Sequence, residues 1–453
     1  MSFKEHHKRS WLAGLIWSLL ALILALLLAI LWLLHGEAAR QSVDDLTGPN
    51  PKLQRPRDEY ILPSTHIPAQ IGWTTEAQPH PAAGLQVNDF AQGLDHPGRM
   101  LVLPNGDVLI SESAAPGHTG GVISWLKQIL FNINNSASTN KILLLRATGK
   151  ADVADQRFTL LSGLNSPSGM AVLNNILYVA DTDALLAYPF HVGDTQISAL
   201  PRKVIALPAS GPNRHWARNV IVAEDGKHLY VSIGAGDHTR DNNDAAEADR
   251  ARILQVDPQT GATNVWAGYL RNPAGMSYDP RSKSIWFTAT ERAMLGPDLP
   301  PDFMSRLDFG TLYGWPWAYW GRRPDPRFAY SQDDHHQDFQ YYKVPEYALG
   351  PHTESLGIAF SAGAKLGPAY GYGAFVAQHG SWNRRPLSGY RVIFVPFEAS
   401  GYPRKLPLPV LDGFLNAQNQ AQGRPMDVAI AKDGTLLVSD DAGGRIWRVS
   451  AAP

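Results

Sequence analysis

An internal repeat constrains this chain more than any other feature. Six stretches share one layout: a short polar-plus-small lead, a β-forming run, a turn, then a second β-forming run. They are GLDHPGRMLVLPNGDVLISES from Gly93, GLNSPSGMAVLNNILYVADTDALLAYPF from Gly163 and HWARNVIVAEDGKHLYVSIGAGDH from His215. The others are GYLRNPAGMSYDPRSKSIWFTATER from Gly268, HTESLGIAFSAGAKLGPAYGYGAFVAQHG from His352 and GRPMDVAIAKDGTLLVSDDAGGRIWRVS from Gly423. A unit repeated at this length cannot bury its apolar face alone and must stack on its neighbours. Asn105-Gly106, Asp225-Gly226 and Asp433-Gly434 fall between apolar runs and predict hairpins with type I′ turns. Further strands are predicted after several hairpins, at 251–256, 390–397 and 445–449. About four strands per copy is the size of a propeller blade. The expectation is an all-β, six-bladed β-propeller, with residues 85–91 supplying the outer strand of the last blade. A β-sandwich would not require a common repeat. Copies are unevenly spaced, and the excess falls near 115–140, 235–250, 295–350 and 398–422. Those insertions are predicted to be loops on the propeller faces, where sites are commonly built.

The second constraint is at the N-terminus. Trp11 to Leu34 is a run without a charge in which 12 of 24 residues are Leu. As a helix it would reach about 36 Å, enough for ~30 Å of hydrocarbon. Lys4, Lys8 and Arg9 precede it, while Arg40 is the one base in the ten residues that follow. That bias predicts a cytoplasmic N-terminus and an external remainder. The run exceeds the ~7–15 residues of a cleavable signal, so an uncleaved anchor is expected. The predicted organisation is a cytoplasmic 1–10, a transmembrane helix 11–34, a Pro-rich linker and wrapping segment 35–84, and a propeller 85–453. Localisation would be the inner membrane, single-pass, with the large domain in the periplasm.

Composition removes several classes. A net charge of −1 with 18% charged residues gives no basic excess for nucleic acid. The absence of cysteine excludes disulfides, thiolate metal sites and cysteine nucleophiles. No Rossmann glycine fingerprint, P-loop or nucleophile elbow is present.

Polar residues head the repeat copies, where the chain would turn into the innermost strands and line the central channel. These are His96, His215, Arg271-Asn272, His352 and Arg424. Any one of them is more often a strand cap than a functional group. Their shared register predicts a converging polar pocket. His215 is the candidate base, because imidazole exchanges protons near neutrality. Arg271 and Arg424 could hold carboxylates or developing negative charge. Trp216, Trp315, Trp317 and Trp382 offer flat faces for a sugar or cofactor, against the alternative of packing between blades. His335-His336, in DDHHQD, reads as a solvated loop rather than a metal site, and no metal ligands are assigned.

From 85 to 449 the chain resembles the glucose/sorbosone dehydrogenases, and within them the membrane-associated L-sorbosone branch. The resemblance is carried by HWARNVIVAEDGKHLYVSIG, GYLRNPAGM, LYGWPWAYWG, AFVAQHGSWNRRPLSGYRVIFVPF and GRPMDVAIAKDG. It implies a six-bladed propeller using pyrroloquinoline quinone (PQQ) and calcium. His215 matches the family's base, Arg271 and Asn272 a pair on the cofactor, and Arg424 a partner of a PQQ carboxylate. Departures from the soluble glucose dehydrogenases are Ala274 for a glutamine, Met426 for a second arginine, and Arg384 near the place of a cofactor-binding lysine. Calcium in those relatives sits on backbone carbonyls, and residues 291–297 correspond to that segment. The implied activity is oxidation of a sugar or sugar-derived aldehyde, with electrons passed to a membrane quinone. Two rivals are a calcium-dependent lactonase-like hydrolase, which would need converging acidic ligands, and a non-catalytic sugar- or protein-binding propeller.

Overall fold

The structure is a computed structural model describing residues 3–34, 37–56, 66–74, 76–116, 138–149, 152–211, 213–237, 247, 249–328 and 339–453. The His335-His336 loop lies outside these residues, as does most of the insertion expected at 115–140.

Six antiparallel sheets form the blades, each with a first strand innermost. Those inner strands are Pro97–Val102, Met170–Leu173, Asn219–Val222, Asn272–Asp279, Ser355–Phe360 and Pro425–Ile430. Each packs on the next, and the sixth packs on the first, so the ring closes. Closure is also staggered along the chain. Leu85–Gln92 pairs with Arg445–Ala451 as the outermost strand of the last blade, as the sequence predicts. Joining the two ends of the chain in one sheet leaves no seam between blades to open first.

The repeat has a physical cause at the axis. A Cβ on Gly169 would lie 2.5 Å from the Val220 nitrogen of the next blade, one on Gly275 2.3 Å from the Leu356 oxygen, and one on Gly357 2.5 Å from the Asp427 Cα. These glycines recur because inner strands approach too closely for a side chain. Six apolar clusters then fill the six gaps between consecutive blades, exemplified by Trp447 with Phe375 and Phe394, and Phe287 with Tyr230 and Ile253. Beside the axis, Arg99 donates to Asp427 at 3.0 Å and to the Leu356 carbonyl, and Asp427 also accepts the Met100 N–H. One buried ion pair thus ties blades one, five and six together.

The Asn-Gly and Asp-Gly hairpins differ from expectation. Gly106, Gly226 and Gly434 have positive φ, but Asn105, Asp225 and Asp433 do not. In each, the glycine N–H donates three residues back, to Leu103, Ala223 and Ala431. This is a type I turn followed by a left-handed glycine, the next most common hairpin closure. Two-residue geometry with both φ positive appears instead at Asn174-Asn175.

The N-terminal helix runs Phe3–Leu34, and its residues 14–30 are exposed. Among the described residues no helix is long and apolar enough to cross a membrane. The expected span, 11–34, reaches at both ends into side chains outside the described set. The described parts of 37–84 wrap the propeller. Thr47–Gly48 adds to the edge of the fourth blade and His80–Pro81 to that of the fifth. Trp73 Nε1 donates to Asp440 at 2.6 Å.

Candidate active site

The 213–218 loop enters the third blade and is held from below. Arg218 is buried and donates to the His215 and Pro208 carbonyls and to Asn213. Burial, with Arg250 nearby, lowers its pKa to about 9, so it stays cationic at neutral pH. Thr182 donates to the Trp216 carbonyl at 3.0 Å. These bonds fix the buried His215 ring against the Gly234–Ala235 backbone. His215 Nδ1 is 2.8 Å from the Ala235 carbonyl oxygen. A carbonyl only accepts, so Nδ1 carries a proton and Nε2 is the nitrogen left to exchange one. The Ala235 N–H donates in turn to the Arg271 carbonyl at 2.7 Å.

Arg271 and Asn272 begin the fourth blade's inner strand. Arg271 Nη1 reaches the Thr290 carbonyl and hydroxyl at 3.2 and 3.3 Å, and Asn272 Nδ2 reaches the same hydroxyl at 3.0 Å. Arg271 and Thr290 belong to the wall of a small cavity also lined by Glu291, Ala293, Asp302, His352, Glu354, Trp382 and Asn383. Burial lowers the Arg271 pKa to about 10, with Glu291, Asp302 and Glu354 opposing the shift. Burial raises Glu291 and Asp302 each to about 7. It pushes His352 down to about 4, and its Nε2 is 2.9 Å from the Gly296 carbonyl oxygen. His352 is therefore neutral and braces the 291–297 segment.

Arg424 enters through Glu354. Its guanidinium donates to the His379 and Gly380 carbonyls, lies 3.7 Å from Glu354 and sits over the Tyr390 ring at 5.5 Å. Of the sequence candidates, Arg271 and His352 line the cavity, Asn272 shares the lining Thr290 hydroxyl with Arg271, His215 packs across Gly234 from Asn272, and Arg424 lies beside the lining Glu354.

Other candidates belong elsewhere. Arg384, expected on the cofactor, has a buried guanidinium that donates to the Pro297 carbonyl, Asp298 and the Gln41 carbonyl. It pins the N-terminal wrap to the propeller, because a buried guanidinium must be met by several fixed acceptors. His96 pairs with Asp95 at 2.8 Å and is half-exposed. Trp382 lines the cavity. Trp315 is buried and Trp317 packs edge-on against Tyr269, as packing residues. Sequence reasoning missed Glu291, Asp302, Glu354 and His379. A polar pair just after His352 and a histidine inside HGSWNRR were their faint signals.

The acids at the blade ends are spent on backbone. Glu112 accepts the Asp95 N–H, Asp181 that of Asn165, and Asp440 that of Arg424. Each closes the loop into its own blade. Among the described residues no group of three or more His, Asp or Glu could hold a metal ion.

A TrAA12-like family model matches residues 324–452. The holo form of the pyranose dehydrogenase PQQ domain from Coprinopsis cinerea superposes with a TM-score of 0.64 at 18% identity, covering 84% of this chain and 99% of that one. The chain has the fold of the quinoprotein sugar dehydrogenases. A PQQ-dependent pyranose dehydrogenase of Coprinopsis cinerea is 32% identical over 120 residues, 23% of this chain and 16% of that protein. An uncharacterized protein of Borreliella burgdorferi is 26% identical over 308 residues, 64% of this chain and 77% of that one. Within the quinoprotein dehydrogenase fold, the described site lies between blades three and six.

Proposed function

We propose that this propeller oxidises a sugar or sugar-derived aldehyde, sorbosone-like in class, with PQQ as the bound oxidant. The observation that carries the reading is the Ala235 peptide, whose carbonyl orients His215 as a base and whose N–H holds the Arg271 backbone.

The residues present fit an anionic, planar cofactor. Two guanidinium groups from different blades meet around Glu354, and the Trp382 indole and Asn383 amide lie on the wall. Glu291 and Asp302, with pKa values near 7, are partly protonated at neutral pH and so do not form a wall of full negative charge. Arg271, Asn272 and Arg424 would hold the cofactor. When bound, PQQ supplies a two-electron acceptor for hydride from carbon. His215 Nε2 takes the proton of the substrate hydroxyl as that hydride leaves, which a base must do for the C–H bond to break readily. Arg271, kept charged at the cavity edge, offsets negative charge developing on oxygen.

Calcium fits less well. The Gly296 and Pro297 carbonyls, on the segment the resemblance points to, already face His352 Nε2 and accept from Arg384. No step is assigned to it.

Passage of electrons to a membrane quinone is part of the proposal, with residues 11–34 as an inner-membrane anchor and the propeller in the periplasm. Its support is the uncharged Leu-rich run, the basic residues before it, and the place where the chain meets the propeller. Ala39 N–H donates to the Arg385 carbonyl and Arg40 N–H to Asp298, close to Trp382 and Asn383. Four residues lie between Leu34 and Ala39, at most about 18 Å of chain, so an anchored helix would bring the site's face towards lipid. A C-terminal reporter active only in the periplasm agrees with this topology, and one active in the cytoplasm overturns it.

The test of function is PQQ titration of the purified protein, followed by dye reduction with a panel of sugars and aldehydes. Arg424→Ala should weaken PQQ binding at least tenfold while the fold stays intact. Unchanged affinity would leave Arg424 as a loop brace. Glu112, Asp181 and Asp440, the acids at the blade ends, cap backbone N–H groups and do not converge as a hydrolase's metal ligands would.

A further inference from the structure

His379 is held by carboxylates on both ring nitrogens. Nδ1 is 3.3 Å from Glu354 Oε2, and Nε2 is 2.9 Å from both Asp441 oxygens. A ring facing an acceptor at each nitrogen must donate twice, which makes it an imidazolium. Glu354 lines the cavity, whereas the Asp441 side chain is 28% exposed. Asp441 also feels the charge of His96, and His96 Nδ1 is 2.8 Å from Asp95. Acid and imidazole thus alternate from the cavity wall, through blades five and six, to the half-exposed lead of blade one.

We infer that Glu354, His379 and Asp441 form a proton-exit relay from the cavity, with His379 as the shuttle. The inference rests on the dehydrogenase reading. Oxidising CH–OH to C=O yields two electrons and two protons. One proton goes to His215 from the hydroxyl. The other is the hydrogen that left as hydride, freed when two equivalents of a one-electron acceptor such as ferricyanide remove the two electrons. Both must leave a site whose walls are largely buried. An imidazolium passes a proton on from one nitrogen and regains one at the other. Here it would deliver to Asp441 and be reloaded from Glu354.

The surroundings suit the task. Burial and Arg424 oppose the charge on His379, yet Asp441 and Glu354 raise its pKa on balance. Arg424 is itself engaged by the His379 and Gly380 carbonyls, and Tyr390 and Asp440 complete the charged and titratable neighbours. Asp441 is held below the usual carboxylate range: burial pushes it up, but His379 and Arg424 outweigh this. The proton is therefore held on the ring between transfers.

The experiment follows two signals in the PQQ-loaded protein during one turnover with ferricyanide. Cofactor absorbance reports hydride transfer, and a pH-indicator dye reports proton release. His379→Gln should slow proton release at least tenfold relative to cofactor reduction, and added imidazole should restore it. Asp441→Asn, which alters a part-exposed group, should show the same lag and covers the case in which the first variant fails to fold. Nitrogen NMR of the cofactor-free protein should show His379 doubly protonated at pH 7. A neutral His379, or proton release that keeps pace with reduction in a folded variant, overturns the relay. Wild-type protein whose cofactor no sugar or aldehyde reduces overturns the dehydrogenase reading and the relay with it.

Discussion

Gly234 separates His215 from Asn272 and leaves no room between them for a side chain. A Cβ there would lie 2.6 Å from the His215 Cβ and 2.6 Å from the Asn272 Oδ1. The imidazole of the third blade and the amide of the fourth are therefore spaced by the absence of a side chain. Gly234→Ala must push one of them away. Displacing a reacting group by about 1 Å can cost about 10²-fold in rate, and overpacking costs about 1–3 kcal/mol. Turnover should fall on that order, with a modest loss of stability in denaturant titration. Wild-type turnover would mean that the His215–Asn272 spacing is unimportant.

The Arg99–Asp427 pair predicts a stability effect without chemistry. Both side chains are at most 8% exposed. Removing one partner of a buried pair typically costs about 3–5 kcal/mol, because the other charge is stranded. Asp427→Ala should destabilise by that order, while Arg99→Met combined with Asp427→Leu should recover most of it. Urea titration reads both. A loss below about 1 kcal/mol in the single variant would show that water or neighbours solvate Arg99.

Glu291 predicts a pH dependence. Its folded pKa, raised by burial to about 7, exceeds the ordinary 4.5. The folded state therefore binds more protons between those values, and stability from this group is lost as pH rises through about 7. Asp302 and Asp181, both raised to about 7 by burial, act in the same direction. His352, lowered to about 4, acts oppositely and loses stability as pH falls from 6.5. Glu291→Gln keeps the shape and removes the titration. Its melting temperature should decline less between pH 5 and pH 8 than that of the wild type. An identical slope would mean that Glu291 is not buried as a titrating group.

The fold was legible because its cause is periodic. Apolar runs recur with every blade, Gly98, Gly169, Gly275 and Gly357 lie in or beside four of the six inner strands, and the C-terminal strand leaves an obvious vacancy for Leu85–Gln92. The hairpin type was misjudged because Asn-Gly and Asp-Gly serve two closures. Pro104, with φ fixed negative, favours the type I form in the first. The site was half legible. His215, Arg271, Asn272 and Arg424 stand where their repeat register puts them. The bonds of Arg384 were not legible, since a sequence cannot show that Pro297, Asp298 and Gln41 converge on it from distant segments. Glu354, His379 and Asp441 escaped for the same reason: each is ordinary alone, and their meaning lies in meeting.

The central claim is that His215 Nε2 is the base. Replacing it in PQQ-loaded protein and measuring turnover at saturating substrate tests this most directly. Loss of a positioned general base typically costs about 10²–10⁴-fold. His215→Ala should lose turnover on that order, bind PQQ with near wild-type affinity and unfold at nearly the same temperature. A folded, PQQ-bound His215→Ala protein that turns over at the wild-type rate would contradict the account.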